Sequence, residues 1–390
     1  MNPAPFDSVA AVGDIADLQT WSGIPFHFWQ SARSNGWSLE PWRLDLTRFV
    51  WSRRMWNAGR VLLGRGQGGF QYSRTFLDAA EAQIPVALFA GRVLTFSQHF
   101  PRASSVRRYG GRISYYIDAP FAALVSGRGL DLRLPGRIRE EALALERENY
   151  QQADRIVCMA QWAADAVMEL CGVPREKVSV VLPGANIERP IDFKFVPMPG
   201  RPGVDRPLVL GFVGKDWKRK GLEFLLQVRD VVVAQGLMCV VHAAGFDPAT
   251  SPTHEGLKAV GFIDKQREPE RFIEFVCQCD LGCLFSSREA LGISTLEFLR
   301  FGVPVAGFSI EGLRDTLFPG CSFAFDVGTT AKSVADDMVR TFSNGAATEA
   351  LRNAAILRSE TVTWSKTILG FDALSVGKTR KRTLPVPSRL

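Results

Sequence analysis

Short apolar runs alternate with residues at helical spacing along nearly the whole chain. In the first half SVAAVG (8–13), IPVALFA (84–90), RISYYID (112–118), RIVCMA (155–160) and VSVVLP (178–183) have strand length and composition. Between them FHFWQSARSNG (26–36), YSRTFLDAAEAQ (72–83), REEALALERENYQQA (139–153) and QWAADAVMELCG (161–172) carry apolar residues at helical spacing. The second half repeats the alternation. LVLGFVG, MCVVHAAG, LGCLFS, VPVAGF and SFAFDV are predicted strands, and GLEFLLQVRDVVVAQG, PERFIEFVCQCD and ISTLEFLRFG predicted helices. Strands separated by helices make parallel sheets, so each half is expected to be a doubly wound α/β unit.

The two halves are joined by a stretch in which Pro190, Pro197, Pro199, Pro202 and Pro207 crowd with Gly200 and Gly203, a density that helices and central strands exclude. The expected division is a first domain 1–195, a linker 196–207, a second domain 208–361, a helix 362–377 crossing back to the first domain, and a basic tail 378–390. At 390 residues two domains are also what a single core's size limit requires.

Composition adds the setting. The chain is 46% hydrophobic and 22% charged, and no run of about 18 uncharged apolar residues occurs. Its start, MNPAPFDSVAAVGD, lacks the basic and apolar regions of a secretory signal, and its seven cysteines are scattered, which together lead to an expected cytoplasmic location. Cys277, Cys279 and Cys283 lack a second Cys/His pair for zinc and are expected to be small buried apolar residues. The formal charge of +7 is uneven: from Arg43 to Arg112 there are twelve arginines, three acids and no lysine. This basic segment suits either an anionic acceptor or membrane surface, or a solvated face. Its stretch FVWSRRMWNAGRVL mixes aromatic and basic residues as interfacial helices do, and also as a core helix with arginines at its edge does. The basic tail is expected to be flexible. No nucleic-acid module or base-stacking pattern accompanies the charge.

Two loops carry candidate chemistry. After the strand ending at Gly214, Lys215, Lys218, Arg219 and Lys220 crowd before a helix; they face an anion or form a solvated turn. In SREALGISTLEFLRFGVPV, Glu289 and Glu297 flank Gly292 at the start of a helix. Backbone N–H groups of Ala290, Leu291, Gly292 and Ile293 are placed there to receive a diphosphate. Carboxylates repel phosphate, so the two glutamates suit sugar hydroxyls on either side. Ser294-x-x-Glu297 also reads as a capping box, which needs no ligand.

The segment SREALGISTLEFLRFGVPV resembles the E-x7-E motif of retaining glycosyltransferases of the GT-B fold, family 4. FVGKDWKRKG resembles that family's phosphate loop, QQADRIVCMAQWAADAVMELCGVPREKVSVVLPGANI its segment before the linker, and TWSGIPFHFWQSARSNGW the glycine loop and first helix of one bacterial branch. The resemblance extends to about Val376 and is most specific in 145–190 and 208–316. It implies two Rossmann-like domains facing a central cleft. It also implies that Glu289 contacts the transferred sugar, Glu297 the ribose, and Lys220 the diphosphate, with Lys215, Gly214 and Arg219 beside it. Ser22 and Gly23 would approach from the first domain. Two positions depart from the pattern: Lys215 stands where arginine is usual, and Asp118 where many members carry histidine. Asp118 also reads as an N-cap or Asx turn before Pro120.

Taken with these residues, the resemblance implies transfer of a sugar from a UDP- or GDP-type donor to an acceptor hydroxyl of a glycan or lipid-linked glycan. Neither a cofactor nor a metal is expected, because lysines take the place of Mg²⁺. His99 is a candidate on the acceptor side, while His27, His242 and His254 are expected to be structural or exposed. Two other classes stay open: a nucleotide-sugar epimerase or hydrolase on the same fold, and a non-catalytic binder of nucleotide sugars or anionic glycans.

Overall fold

The computed structural model describes residues 4–62, 68–126, 134, 136–190, 193–194 and 198–376. The first half holds strands β1 Ser8–Ala10, β2 Glu40–Pro41, β3 Arg92–Thr95, β4 Arg112–Ile117, β5 Arg155–Cys158 and β6 Val178–Val180. The second holds β7 Leu208–Val213, β8 Cys239–Ala244, β9 Leu257–Ala259, β10 Leu281–Leu284, β11 Val305–Phe308 and β12 Ser322–Phe325. Around the first sheet lie α1 Ile24–Ser34, α2 Val50–Leu62, α3 Arg74–Glu81, α4 Val86–Phe89, α5 Ala103–Arg108, α6 Phe121–Val125, α7 Gly136–Gln152 and α8 Gln161–Cys171. The remaining helices are α9 Leu222–Ala234, α10 Pro269–Cys277, α11 Ile293–Arg300, α12 Ala331–Phe342, α13 Gly345–Ser359 and α14 Trp364–Val376.

Both sheets are parallel. Their orders are β2-β1-β3-β4-β5-β6 and β12-β11-β10-β7-β8-β9. In each, the winding direction reverses once, between β1 and β3 and between β7 and β10. Ligands of such sheets bind in the crevice outside the carboxyl ends at that reversal. In the second domain the loops bordering it are the lysine loop after β7 and the Glu289 loop after β10.

The segment IPVALFA is not a strand. Pro85 starts the short helix α4, and the buried strand is the following RVLT, which pairs with β1 and β4. A continuous apolar run has no period that separates the two states.

The domain crossing also differs from expectation. Ala185 and Ile187 already pack with Val209, Leu296 and Phe298 in the second domain's core. The chain therefore leaves the first domain near Leu182–Gly184, ahead of the proline-rich stretch, and Pro199 to Pro207 lie on the second domain. The return is at the same place: Ala185 N donates to Val362 O at 3.0 Å. Helix α14 then packs on α1, with the Phe371 ring 5.3 Å from Phe28 and 5.0 Å from Tyr116. Pro197 and the basic tail at 378–390 lie outside the described residues.

Candidate functional site

The lysine loop and the Glu289 loop meet because β7 and β10 are neighbours. Gly214 directly follows β7, and a Cβ there would sit 2.3 Å from Lys220 Cδ, so the glycine is what lets the lysine stem lie against the strand end. Lys220 Nζ donates to Glu289 Oε2 at 3.0 Å, Ser286 Oγ donates to the same oxygen at 3.3 Å, and Arg219 Nη1 lies 3.6 Å from it. Burial alone would raise the Glu289 carboxyl, but Lys220, Arg219 and Ser286 hold it below the ordinary carboxylate range. The carboxylate is thus kept charged. All three contacts fall on Oε2, and among the described residues Oε1 takes no protein donor.

The loop backbone is held from below. Glu289 N donates to Glu311 Oε2 at 2.7 Å, and Glu311 also pairs with Arg288. Arg219 Nη1 donates to Arg288 O at 2.5 Å, tying the two loops together. Ala290 and Leu291 lead to Gly292, which takes a left-handed φ of 80° as the N-cap of α11. This cap carries no side-chain hydrogen bond. The capping-box reading of Ser294 and Glu297 is therefore wrong: the helix begins two residues earlier than the box requires, leaving Ser294 buried inside it.

Glu297 instead faces a second cation. Lys265 Nζ donates to its Oε1, and Glu297 Oε2 is buried without a hydrogen-bond partner, in a residue only 1% exposed. Lys265 was missed as a site residue, and its only sequence signal was a cation in a loop after a short strand. It lies 4.4 Å from the Phe272 ring centroid. His27 of α1 feels the same ammonium: burial first, then Lys265, lowers its pKa to about 4. His27, expected to be structural or exposed, therefore stands across the domain interface from the Lys265–Glu297 pair.

From the first domain, Asp118 follows β4. Burial raises its pKa to about 6, backbone N–H donors of Ala119 and its own residue oppose the rise, and Glu289 adds to it. The charge of Glu289, in the second domain, thus reaches Asp118 in the first. Asp118 does not cap α6. That is done by the buried Glu146 of α7, which accepts from Phe121 N at 2.6 Å and Ala122 N at 2.9 Å. Trp21, Ser22 and Gly23 form a left-handed turn, at φ 45°, 58° and 81° respectively. Asn186 Nδ2 donates to Ser22 O at 2.9 Å, and Trp364 Nε1 donates to Asn186 Oδ1 at 3.1 Å. The two chain crossings thus brace this loop.

Two candidates lie apart from the cluster. Lys215 is exposed, with Nζ 5.4 Å from the Phe262 ring centroid. His99 does not line a cleft: it is 3% exposed, packed between Tyr72 and Phe121, and its Nε2 is 3.0 Å from Ala142 O. Burial lowers its pKa to about 4. Apolar neighbours surround the ring, so it is a core residue.

The domains touch around this site. Leu291 packs with Met159, Ala160 and Val181 of the first domain. Asp315 accepts from Gln161 N, so a carboxylate of the second domain caps α8 of the first. Gly312 lies so close that a Cβ would be 1.8 Å from Ala290 O and 3.1 Å from Ala160 Cβ. Among the described residues no group of three or more His, Cys, Asp or Glu is placed to hold a metal ion, and no helix is long and apolar enough to cross a membrane.

Residues 207–344 match the family described as Glycosyl transferases group 1. The chain is 27% identical over 245 residues to D-inositol 3-phosphate glycosyltransferase of Thermobispora bispora, covering 57% of this chain and 55% of that protein. It is 30% identical over 185 residues to 2-deoxystreptamine N-acetyl-D-glucosaminyltransferase of Streptomyces fradiae, covering 45% and 44%. The chain thus spans about half the length of these curated relatives. Among solved structures it is similar to sucrose-phosphate synthase from Thermosynechococcus elongatus, at TM-score 0.64 and 12% identity, over 96% of this chain and 99% of that one. The protein has the GT-B fold, two parallel α/β domains, and residues 207–344 in its second domain match the glycosyl transferases group 1 family.

Proposed function

We propose that the protein is a retaining, family 4-like glycosyltransferase that moves a sugar from a UDP- or GDP-type donor to an acceptor hydroxyl of a glycan or lipid-linked glycan. The process would be synthesis of a bacterial surface polysaccharide or glycolipid, on the cytoplasmic side. The observation that carries this reading is the Lys220–Glu289 pair at the β7/β10 reversal, beside the N-terminus of α11. In this reading Lys220 would take the diphosphate and Glu289 the sugar hydroxyls, from side chains 3.0 Å apart. The names of the curated relatives support sugar transfer.

In this reading the diphosphate sits between Lys220 and the N–H groups of Ala290 to Ile293, where developing negative charge is stabilised in a site shielded from water. Lys215, now outside the cluster, would join on the anion's arrival. Glu289 is held charged and so accepts hydrogen bonds from the sugar. The unpartnered Oε2 of buried Glu297 suits a ribose hydroxyl, and Lys265 orients the other oxygen. For retention, the bond from the anomeric carbon to the phosphate oxygen breaks while the bond to the acceptor oxygen forms on the same face. The acceptor proton passes to the leaving phosphate. No metal or cofactor is required.

The test is a melting-temperature screen against UDP, GDP, ADP and their sugars, followed by product analysis with and without EDTA. The reading expects protection by one nucleotide class, a glycosylated product of unchanged anomeric configuration, and no loss with EDTA. Free sugar, an epimerised donor, or binding without turnover would replace it, and a trapped glycosyl–Glu289 adduct would overturn the same-face step.

A further inference from the structure

Helix α2 has two unlike faces. Its inward face is anchored: Trp56 Nε1 donates to Gly68 O at 3.0 Å, the Trp56 ring lies 5.9 Å from Phe70, Asn57 Oδ1 accepts from Gly68 N, and Arg60 is buried. The anchoring fixes which side faces out. That side carries Trp51, Met55, Ala58 and Leu62, at i, i+4, i+7 and i+11, a single stripe of the helix. Trp51 is 72% exposed, Met55 69% and Leu62 87%. Apolar side chains this exposed, aligned on one helix and rimmed by polar residues, mark an interaction surface.

Charge selects the partner. Arg48, Arg53 and Arg54 are exposed along the same helix and its lead-in, and no acid occurs from 46 to 62. Arg54 stacks over the Trp51 ring at 5.4 Å, so the aromatic and a cation already share one edge of the stripe. The nearest acid, Asp45, is turned back on its own segment, accepting from Thr47 N and Arg48 Nε. We infer that α2 docks the protein in the plane of an anionic bilayer surface, with Trp51, Met55 and Leu62 in the acyl–headgroup boundary and the arginines against lipid phosphates. The docking has a geometric consequence. The turn Leu46–Phe49 runs straight into α2, and Leu46 and Thr47 wall a cavity of about 340 Å³ that Asp14, Asp17, Thr20 and Arg43 also line. Docked, this polar cavity lies at headgroup depth, on the side of β1 that leads to the Ser22 loop. The docking itself does not rest on the transfer reading; only the presentation of a lipid-anchored acceptor does.

Flotation of the full chain with vesicles tests it, using equimolar phosphatidylglycerol and phosphatidylcholine against phosphatidylcholine alone, at low and moderate salt. The wild type is expected to float with the anionic vesicles and to weaken with salt. Arg53→Gln with Arg54→Gln should cut partitioning about thirtyfold, at about 1 kcal/mol per cation. Trp51→Ser with Met55→Ser and Leu62→Ser should cut it by roughly tenfold or more. All five side chains are exposed, so circular dichroism should show unchanged folding. Wild type that fails to float, or floats equally with neutral vesicles, overturns the inference. So does a stripe variant that floats like wild type, which would assign binding to the basic tail. A dimer in light scattering that the stripe substitutions abolish, without flotation, overturns it in favour of a protein partner. Nucleotide protection is measured on the same variants: flotation without protection leaves docking and removes transfer, and protection without flotation does the reverse.

Discussion

Lys220 and Glu289 are sixty-nine residues apart in sequence and 3.0 Å apart in space, with side chains 14% and 13% exposed. Removing Lys220 leaves the largely buried Glu289 carboxylate with Arg219 at 3.6 Å and Ser286 at 3.3 Å, so the cost is expected to stay below the roughly 3–5 kcal/mol of a fully uncompensated buried charge. Lys220→Met should still lower the urea midpoint. Adding Glu289→Gln should restore much of the stability. Activity should not return, because transfer is expected to fall roughly 10²–10³-fold with either single change. Recovery of both together would mean the pair is structural only.

Asp118 gives a pH dependence of definite sign. Its folded pKa of about 6 exceeds the ordinary 3.8, so the folded state binds the proton more tightly than the unfolded chain. This contribution is fully present below pH about 4 and is lost as pH rises through about 6, for a total of up to about 3 kcal/mol, reduced by the water that reaches this half-buried group. Asp118→Asn should thus gain stability relative to wild type between pH 4 and 7, with the difference flattening above. Urea melts across that range measure it, and a pH-independent difference would show the carboxyl to be unperturbed.

Lys265→Met removes the partner of a glutamate that is 1% exposed and has one oxygen already unsatisfied. A loss of about 3–5 kcal/mol is expected. The double variant with Glu297→Leu should recover most of it while losing nucleotide protection. Unchanged protection in the double variant would remove Glu297 from the binding site.

Asp315 caps α8 from the other domain through Gln161 N. Asp315→Ala should cost about 1 kcal/mol as a lost cap. It should also enlarge the radius of gyration in small-angle scattering, because one tie between the domains goes. A compact variant with unchanged dimensions would show that Leu291 and Gly312 hold the domains together without it.

The alternation of apolar runs and helical spacing carried the fold class, since a parallel sheet buries both faces and writes itself as continuous apolar segments. The same property misled at IPVALFA, where a buried helix and a buried strand look alike. Glu289, Gly292, Glu297 and Lys220 were legible because charges and a glycine beside strand ends are costly without a purpose. Lys265, Asn186, Glu311 and Asp315 were not, because each acts by what it meets from a distant segment. His99 failed for the converse reason: an imidazole in an aromatic box is spelled like one in a cleft.

What the sequence by itself determined is local: the alternation of strands and helices apart from IPVALFA, where turns open beside cations and carboxylates, and that two similar halves exist. What only the tertiary structure decided is adjacency. The reversal of winding between β7 and β10 brings Lys220 to Glu289, the chain crossing at Gly184 and Trp364 braces the Ser22 loop through Asn186, and the anchoring of Trp56 turns Trp51, Met55 and Leu62 outward. Side-chain charge and period are properties of a segment, whereas a contact is a property of the packing that buries one segment against another.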